Sequence, residues 1–445
     1  MKKNIFLSTV ALLSLGMLAA CGGGTSSQAP QSSAEPSSAP AQSSEPAQSS
    51  EPAPVSSQAP STPAEQIDIG EVKVWCDELI HDVTVAQLEE WSNLVGNPYK
   101  ATFDVQNMGE GDAATQMIAD PDAGADIFFF AQDQLTRLIS SGCMSAMSEE
   151  AEEYVRSRDD AGSCGAATFD NMLYAFPATS DNGYFMYYDK EFLEGVDLTS
   201  LDAIYEACKQ GGRTIYFEYG NAWYNAAFFL GYGAHCEYTV DKDGNFVAYD
   251  DTYDSPAGLE AARAMKRYFT DTEVFINGSS VSGFENKGAV VVSGTWDSTA
   301  AKKILGEKLG ATILPKVKSG DNAVPVQLSS FAGFKLLGAK PQLDEDRAEA
   351  VETIALYLTD YKAQKARFES NGWGPSNKNL QADPEIAGDP VLQAIFAQNA
   401  LAKPQGQYPN SWWQIAGAIG NGIATGTEPE TAVATYKEGL PGTLN

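Results

Sequence analysis

From about Gln66 onward the chain alternates between two hydrophobic periods, one of two residues and one of three to four. Glu71 to Cys76 sets Val72, Val74 and Cys76 on one side of an extended segment, which predicts a strand. Asp82 then reads as an N-cap. Val85, Leu88, Trp91 and Val95 follow at helical spacing until Gly96, predicting a helix between them. Ala125 to Ala131 is a short continuous apolar run, the pattern of a strand buried on both faces. Ser255-Pro256 opens a helix with Leu259, Ala262, Met265 and Phe269 on its inner stripe. Glu345 to Glu369 predicts one long helix carrying Val351, Ile354 and Leu358 and closing at Asn371-Gly372. Such alternation predicts an α/β body with mainly parallel sheets. At about 380 residues this body is too long for one compact layer, so two α/β lobes are expected.

The first 65 residues follow neither period. Lys2 and Lys3 precede an apolar run from Ile5 to Leu18, so residues 1–20 read as a signal peptide, too short and wrongly flanked for a spanning helix. The following Leu18-Ala19-Ala20-Cys21 resembles the lipobox of bacterial lipoproteins, which implies diacylglyceryl transfer to the Cys21 thiol. Two acyl chains, at about 0.8 kcal/mol per buried methylene, suffice for stable anchoring. Residues 21–65 are mostly Ser, Ala, Pro, Gln, Glu and Gly with a tandem AQSSEP, a composition that fills no core and reads as a tether. It would hold the body about 35 to 40 Å from the membrane on average.

Charge and composition then exclude whole classes. A formal net charge of -30, from 29 basic against 59 acidic residues, repels phosphate backbones, so no nucleic-acid partner is expected. Only His81 and His235 are available for metal or proton-relay chemistry, and no metal site is predicted. The chain has no HExxH, CxxC, GxSxG or GxxxxGK[ST] motif. Asp241 to Asn245 superficially resembles a calcium loop, but Thr252 occupies the place of the bidentate carboxylate. A hairpin between Tyr238–Val240 and Phe246–Tyr249 is the better reading. Five cysteines besides Cys21 cannot all pair; Cys143 with Cys164 and Cys208 with Cys236 are the pairs nearest in sequence and remain as candidate bridges.

The order of segments from about residue 70 onward resembles the extracellular solute-binding proteins of ABC sugar importers, specifically the maltose-binding-protein-like family. The landmarks run collinearly: VKVWCDE from Val72, ADIFFFAQDQLTRLISSG from Ala125, LYAFPATSDNGYFMYYDKEFL from Leu173 and KGAVVVSGTW from Lys287. They continue through ATILPK from Ala311, FAGFKLLGAKP from Phe331, NGWGPSNK from Asn371 and SWWQIAGAI from Ser411. The resemblance implies a two-lobed periplasmic-binding-protein-like fold of type II, with the ligand cleft between discontinuous lobes. One lobe is 66–178 plus 329–376, the other 182–327 plus 377–445, with crossings near Phe176–Asn182, Gln327–Phe331 and Gly374–Asn379. It implies a monomeric receptor at the extracellular face of the membrane, with an oligosaccharide ligand and ABC permease subunits as partners. No enzymatic activity and no cofactor are expected.

A pyranose presents apolar C–H faces and a rim of hydroxyls, so its site needs flat aromatics and a few carboxylates or amides. At the family's ligand positions the resemblance places Phe130, Asp133, Trp296, Trp412 and Trp413, with Asp77 and Glu78 after the first strand. It adds Asp181 or Asn182 at the first crossing, and Trp223 and Tyr224 in the second lobe. Gln134 stands where the maltose-binding protein has arginine. Trp412 and Trp413 are adjacent, so on a helix they point about 100° apart, and Trp412 is favoured for the ligand. Asp133 could instead cap a helix starting at Gln134, and Phe130 could be core. Other cargo on the same fold, a glycan hydrolase and a surface adhesin are the alternatives.

Overall fold

The computed structural model describes residues 65–241 and 244–444. The signal peptide, Cys21 and the tether lie outside the described residues. The body is built on two five-stranded sheets with helices packed on them. In the first, Ile67–Cys76 runs parallel to Tyr99–Asn107 on one side and Ile127–Ala131 on the other, and Lys335–Ala339 and then Ala175–Pro177 are added antiparallel. Val72, Val74 and Cys76 are fully buried, as their period of two requires. Ile127 to Phe130 are fully buried as well, a strand covered on both faces.

The second sheet has the order Phe275–Ile276, Thr214–Tyr216, Gly288–Ser293, Phe185–Asp189, Leu309–Thr312. Its first three strands are parallel and its last two pairings antiparallel. Alternate residues of Phe185–Asp189 enter different cores. Met186 joins the cluster with Ile215, Phe228 and Trp412, while Phe185 and Tyr187 join one with Leu392 and Ile395. Chain order is therefore first sheet, second sheet, back to the first at Lys335–Ala339, then C-terminal helices on the second. The architecture is the expected two-lobed α/β fold.

Where the chain passes between the sheets, its segments are tied together. Asn182–Gly183 pairs antiparallel with Phe331–Gly333, which pairs parallel with Lys403–Pro404. The Ser180 N–H donates to the Gly374 carbonyl at 3.0 Å. Helix Ala222–Gly231 approaches this region so closely that a Cβ on Gly231 would lie 2.7 Å from the Gln327 carbonyl oxygen.

Local elements depart from the sequence reading at three places. The first helix is His81–Ser92, and Asp82 lies inside its first turn. Capping falls instead to Asp77, whose carboxylate accepts the Leu79 N–H at 2.8 Å to start the short turn leading in. The helix stops before Gly96 because amide side chains take its last carbonyls, Asn93 donating to Glu89 at 2.7 Å and Asn97 to Trp91 at 2.9 Å. Val95 is consequently solvent-exposed. The long helix expected over 345–369 is two, Glu345–Leu358 and Tyr361–Asn371, because Asp360 turns extended and caps the second through the Ala363 N–H. Gly372 ends that second helix in the left-handed region at φ 76°. Cys236–Val240 and Phe246–Asp251 form the hairpin expected of that segment.

Neither candidate disulfide forms: Cys76, Cys143, Cys164, Cys208 and Cys236 are all free and buried. Burial pushes the thiols up, Cys76 and Cys164 to about 11 and Cys208 and Cys236 to about 12. A thiol reagent should therefore leave these five unreacted in the native protein and titrate all five after denaturation without reductant. Fewer than five would show that a bridge exists.

Candidate functional site

A cavity of about 440 Å³ opens between the two sheets beside the paired crossing segments. Aromatic walls come from the second-sheet side. Trp223 sits at the start of helix Ala222–Gly231, whose cap Asn221 accepts the Trp223 N–H at 3.0 Å. Its ring packs edge-on against Tyr184 at 4.7 Å, and its Nε1–H donates to Gln405 Oε1 at 3.1 Å. Trp296 follows strand Gly288–Ser293 and folds back over Gly294, where a Cβ would sit 2.0 Å from a ring carbon; only glycine allows that placement. The Trp223 and Trp296 rings are 5.8 Å apart at 41°. Trp413, on helix Asn410–Ala424, supplies the third tryptophan of the lining.

Polar groups come from both sides. Asp77, Glu110, Asp133 and Lys335 line the cavity together with Asn182, Asn221, Gln405 and Asn410. Asp133 is only 5% exposed and caps no helix; Leu135–Ser140 begins without a side-chain cap. Burial raises its carboxyl to about 7, while the Arg137 charge and its own backbone N–H favour the ionised form. Gln134, by contrast, is fully used, accepting the Ala114 N–H at 3.1 Å and donating to the Glu110 and Gly111 carbonyls at 2.9 and 2.8 Å. On the rim, Gln132 donates to the Gln405 carbonyl at 2.6 Å, Thr136 to Gln407 at 2.6 Å and Asn410 to Thr115 at 3.1 Å. These bonds bridge first-sheet elements to the loop before the last helices.

Of the residues singled out from sequence, Asp77, Asp133, Asn182, Trp223, Trp296 and Trp413 converge on this cavity. Glu78 is exposed and lies outside the lining. Phe130 is wholly buried, its ring 5.8 Å from Phe128, and belongs to the core. Tyr224 packs against Tyr184 at 4.9 Å and is likewise enclosed. Asp181 is 1% exposed and accepts from the Thr295 hydroxyl and the Gly374 N–H, so it fastens the crossing segments and leaves the cavity to Asn182. The preference for Trp412 is reversed. Trp412 is fully buried, stacks on Tyr408 at 4.3 Å and donates to the Tyr436 hydroxyl at 3.1 Å, while Trp413 lines the cavity. Ala416, Ile419 and Ile423, at four, seven and eleven residues onward, are the rest of the same inward stripe.

Sequence reasoning passed over Glu110, Lys335, Gln405 and Asn410. Lys335 alone carried a local signal, as the single charge within the apolar run from Phe331 to Ala339.

Two sheets joined by crossing segments around an aromatic, polar-lipped cavity define a two-lobed α/β architecture of the maltose-binding-protein-like kind. The chain belongs to the bacterial extracellular solute-binding protein family, whose model matches residues 96–394. It is 24% identical over 380 residues to the galactooligosaccharide-binding protein of Bacillus subtilis (strain 168), covering 82% of this chain and 84% of that one. The maltodextrin binding protein MalE1 from L. casei BL23, solved without ligand, shares the fold with a TM-score of 0.68 at 21% identity, covering 84% of this chain and 98% of that chain. The maltose-maltodextrin binding protein of the thermoacidophilic Alicyclobacillus acidocaldarius does so at 0.69 and 18%, covering 83% and 100%.

Proposed function

We propose that this protein is the substrate-binding component of an ABC carbohydrate importer, lipid-anchored through Cys21 on the extracellular face of the cell membrane. It captures an oligosaccharide of the malto- or galacto-oligosaccharide kind and delivers it unchanged to the permease. The observation carrying this reading is the cavity itself. Trp223, Trp296 and Trp413 offer apolar faces to sugar rings, and Asp133 keeps a buried carboxylate that little else in the chain occupies. Residues 1–20 serve as the signal and 21–65 as the spacer. The lobes 66–178 plus 329–376 and 182–327 plus 377–445 close on the ligand by rotation about the crossing segments. Contacts to both lobes exist only when closed, which is what shifts the equilibrium.

Because three tryptophans line the cavity, ligand binding should change intrinsic fluorescence. Titration with maltose, maltotriose, galactotriose, an amino acid mixture and spermidine should give a saturable change with at least one oligosaccharide and none with the last two. No change with any sugar would overturn the proposal.

A further inference from the structure

Beneath the tryptophans the cavity floor carries a charged pair that no comparison assigns. Glu110 and Lys335 are 8% and 7% exposed, with Lys335 Nζ 3.4 Å from Glu110 Oε2. The other carboxylate oxygen, Oε1, is buried with no hydrogen-bond partner. Lys335 Nζ lies 3.7 Å from the Trp373 ring centroid and 5.6 Å from that of Trp296, so its position is fixed by two aromatic faces as well as by the carboxylate. Both backbones are pinned. The Glu110 carbonyl accepts from the Ala131 N–H at 3.1 Å, and the Lys335 carbonyl accepts from the Ala178 and Thr179 N–H groups at 3.0 and 3.2 Å.

An isolated ion pair this deeply buried gains little over an apolar pair of the same volume, and an unsatisfied carboxylate oxygen adds a cost. A ligand hydroxyl removes that cost. We propose that Glu110 and Lys335 are the specificity-determining pair of the site. A sugar ring packed on Trp296 donates one hydroxyl to the Glu110 carboxylate, and the vicinal oxygen accepts from Lys335 Nζ. This rests on the oligosaccharide reading and narrows it to neutral rings that carry a vicinal diol at the buried position. At pH 8, where Asp133 is ionised, Asp77, Glu110 and Asp133 stand against one lysine in the cavity lining, so a ring bearing a carboxylate is rejected by like-charge repulsion.

The test uses isothermal titration at pH 8 of wild type, Glu110→Gln and the double variant Glu110→Gln/Lys335→Met with maltotriose, galactotriose and trigalacturonate, each variant checked by thermal melting. Wild type should bind a neutral trisaccharide at least 100-fold more tightly than trigalacturonate. Glu110→Gln should weaken the neutral trisaccharide at least tenfold, and the double variant should lose no more than a further twofold, because the two groups act as one unit. If Glu110→Gln does not fold, the double variant, which buries no charge, carries the same tenfold threshold. A folded variant that binds the neutral trisaccharide within twofold of wild type overturns the pair's role while leaving the sugar reading intact. Wild type that binds neither neutral trisaccharide overturns both.

Discussion

Replacing Asp133 with asparagine should raise the melting temperature at pH 8 by several degrees while weakening oligosaccharide binding by roughly 10- to 100-fold. In the folded protein burial holds the Asp133 proton up to about 7, against an ordinary value of 3.8, opposed by the Arg137 charge. Between those values the folded chain binds more protons than the unfolded one, so stability falls as pH rises through that window and the penalty is complete above about 7. At 1.36 kcal/mol per unit, the penalty is of the order of 4 kcal/mol. Asparagine does not titrate, so its advantage should be clear at pH 8 and shrink steadily toward pH 4. Binding should move the other way. Ionised Asp133 offers two oxygens to sugar hydroxyls, so wild-type affinity should increase from pH 6 to pH 8 and that of Asp133→Asn should stay flat. Calorimetric melts and titrations at pH 5, 6, 7 and 8 measure both. An Asp133→Asn protein no more stable at pH 8 than wild type, with unchanged affinity, would show that the carboxylate is neither strained nor used.

The resemblance put Asp133 at a ligand position, while its sequence neighbours alone left a capping role equally open. Next to Gln134 and Leu135 it has the appearance of a helix cap, and only the fold reveals that no side chain caps that helix. Periodicity found the strands well, Ile127–Phe130 as a continuous apolar run buried on both faces and Val72, Val74 and Cys76 as the buried side of an alternating one. It failed at helix ends, where Asn93, Asn97 and Asp360 decide the boundary through hydrogen bonds that hydrophobic spacing does not register. The Trp412–Trp413 choice was readable in principle, since Ala416, Ile419 and Ile423 already mark the inward face of that helix. Glu110 with Lys335, and Asp181 with Thr295 and Gly374, were not readable. Each set is assembled from segments far apart in sequence that meet only once both sheets and the crossings have formed.

Trp412→Ala and Trp413→Ala should therefore fail in opposite ways. Trp412 fills the second-sheet core beside Tyr408 and donates to Tyr436, whose hydroxyl in turn donates to Asp251 at 2.7 Å. Its truncation opens a cavity and breaks a buried hydrogen-bond chain, which should cost about 3–5 kcal/mol of stability. Trp412→Phe keeps the stack on Tyr408 but loses the indole N–H, so it should recover most of that loss and leave a deficit of about 1 kcal/mol. Trp413 is half-buried, packs against Trp412 at 4.7 Å, Tyr408 at 5.0 Å and Phe331 at 6.2 Å, and also lines the cavity. Truncating it should lower the melting temperature much less than Trp412→Ala does and weaken the oligosaccharide by about 2 kcal/mol, roughly 30-fold. Thermal melts and sugar titrations of the three variants separate the roles. If Trp412→Ala instead melts like wild type and loses the sugar, the stacking face belongs to Trp412 and the helix must present it to the cleft when the lobes close.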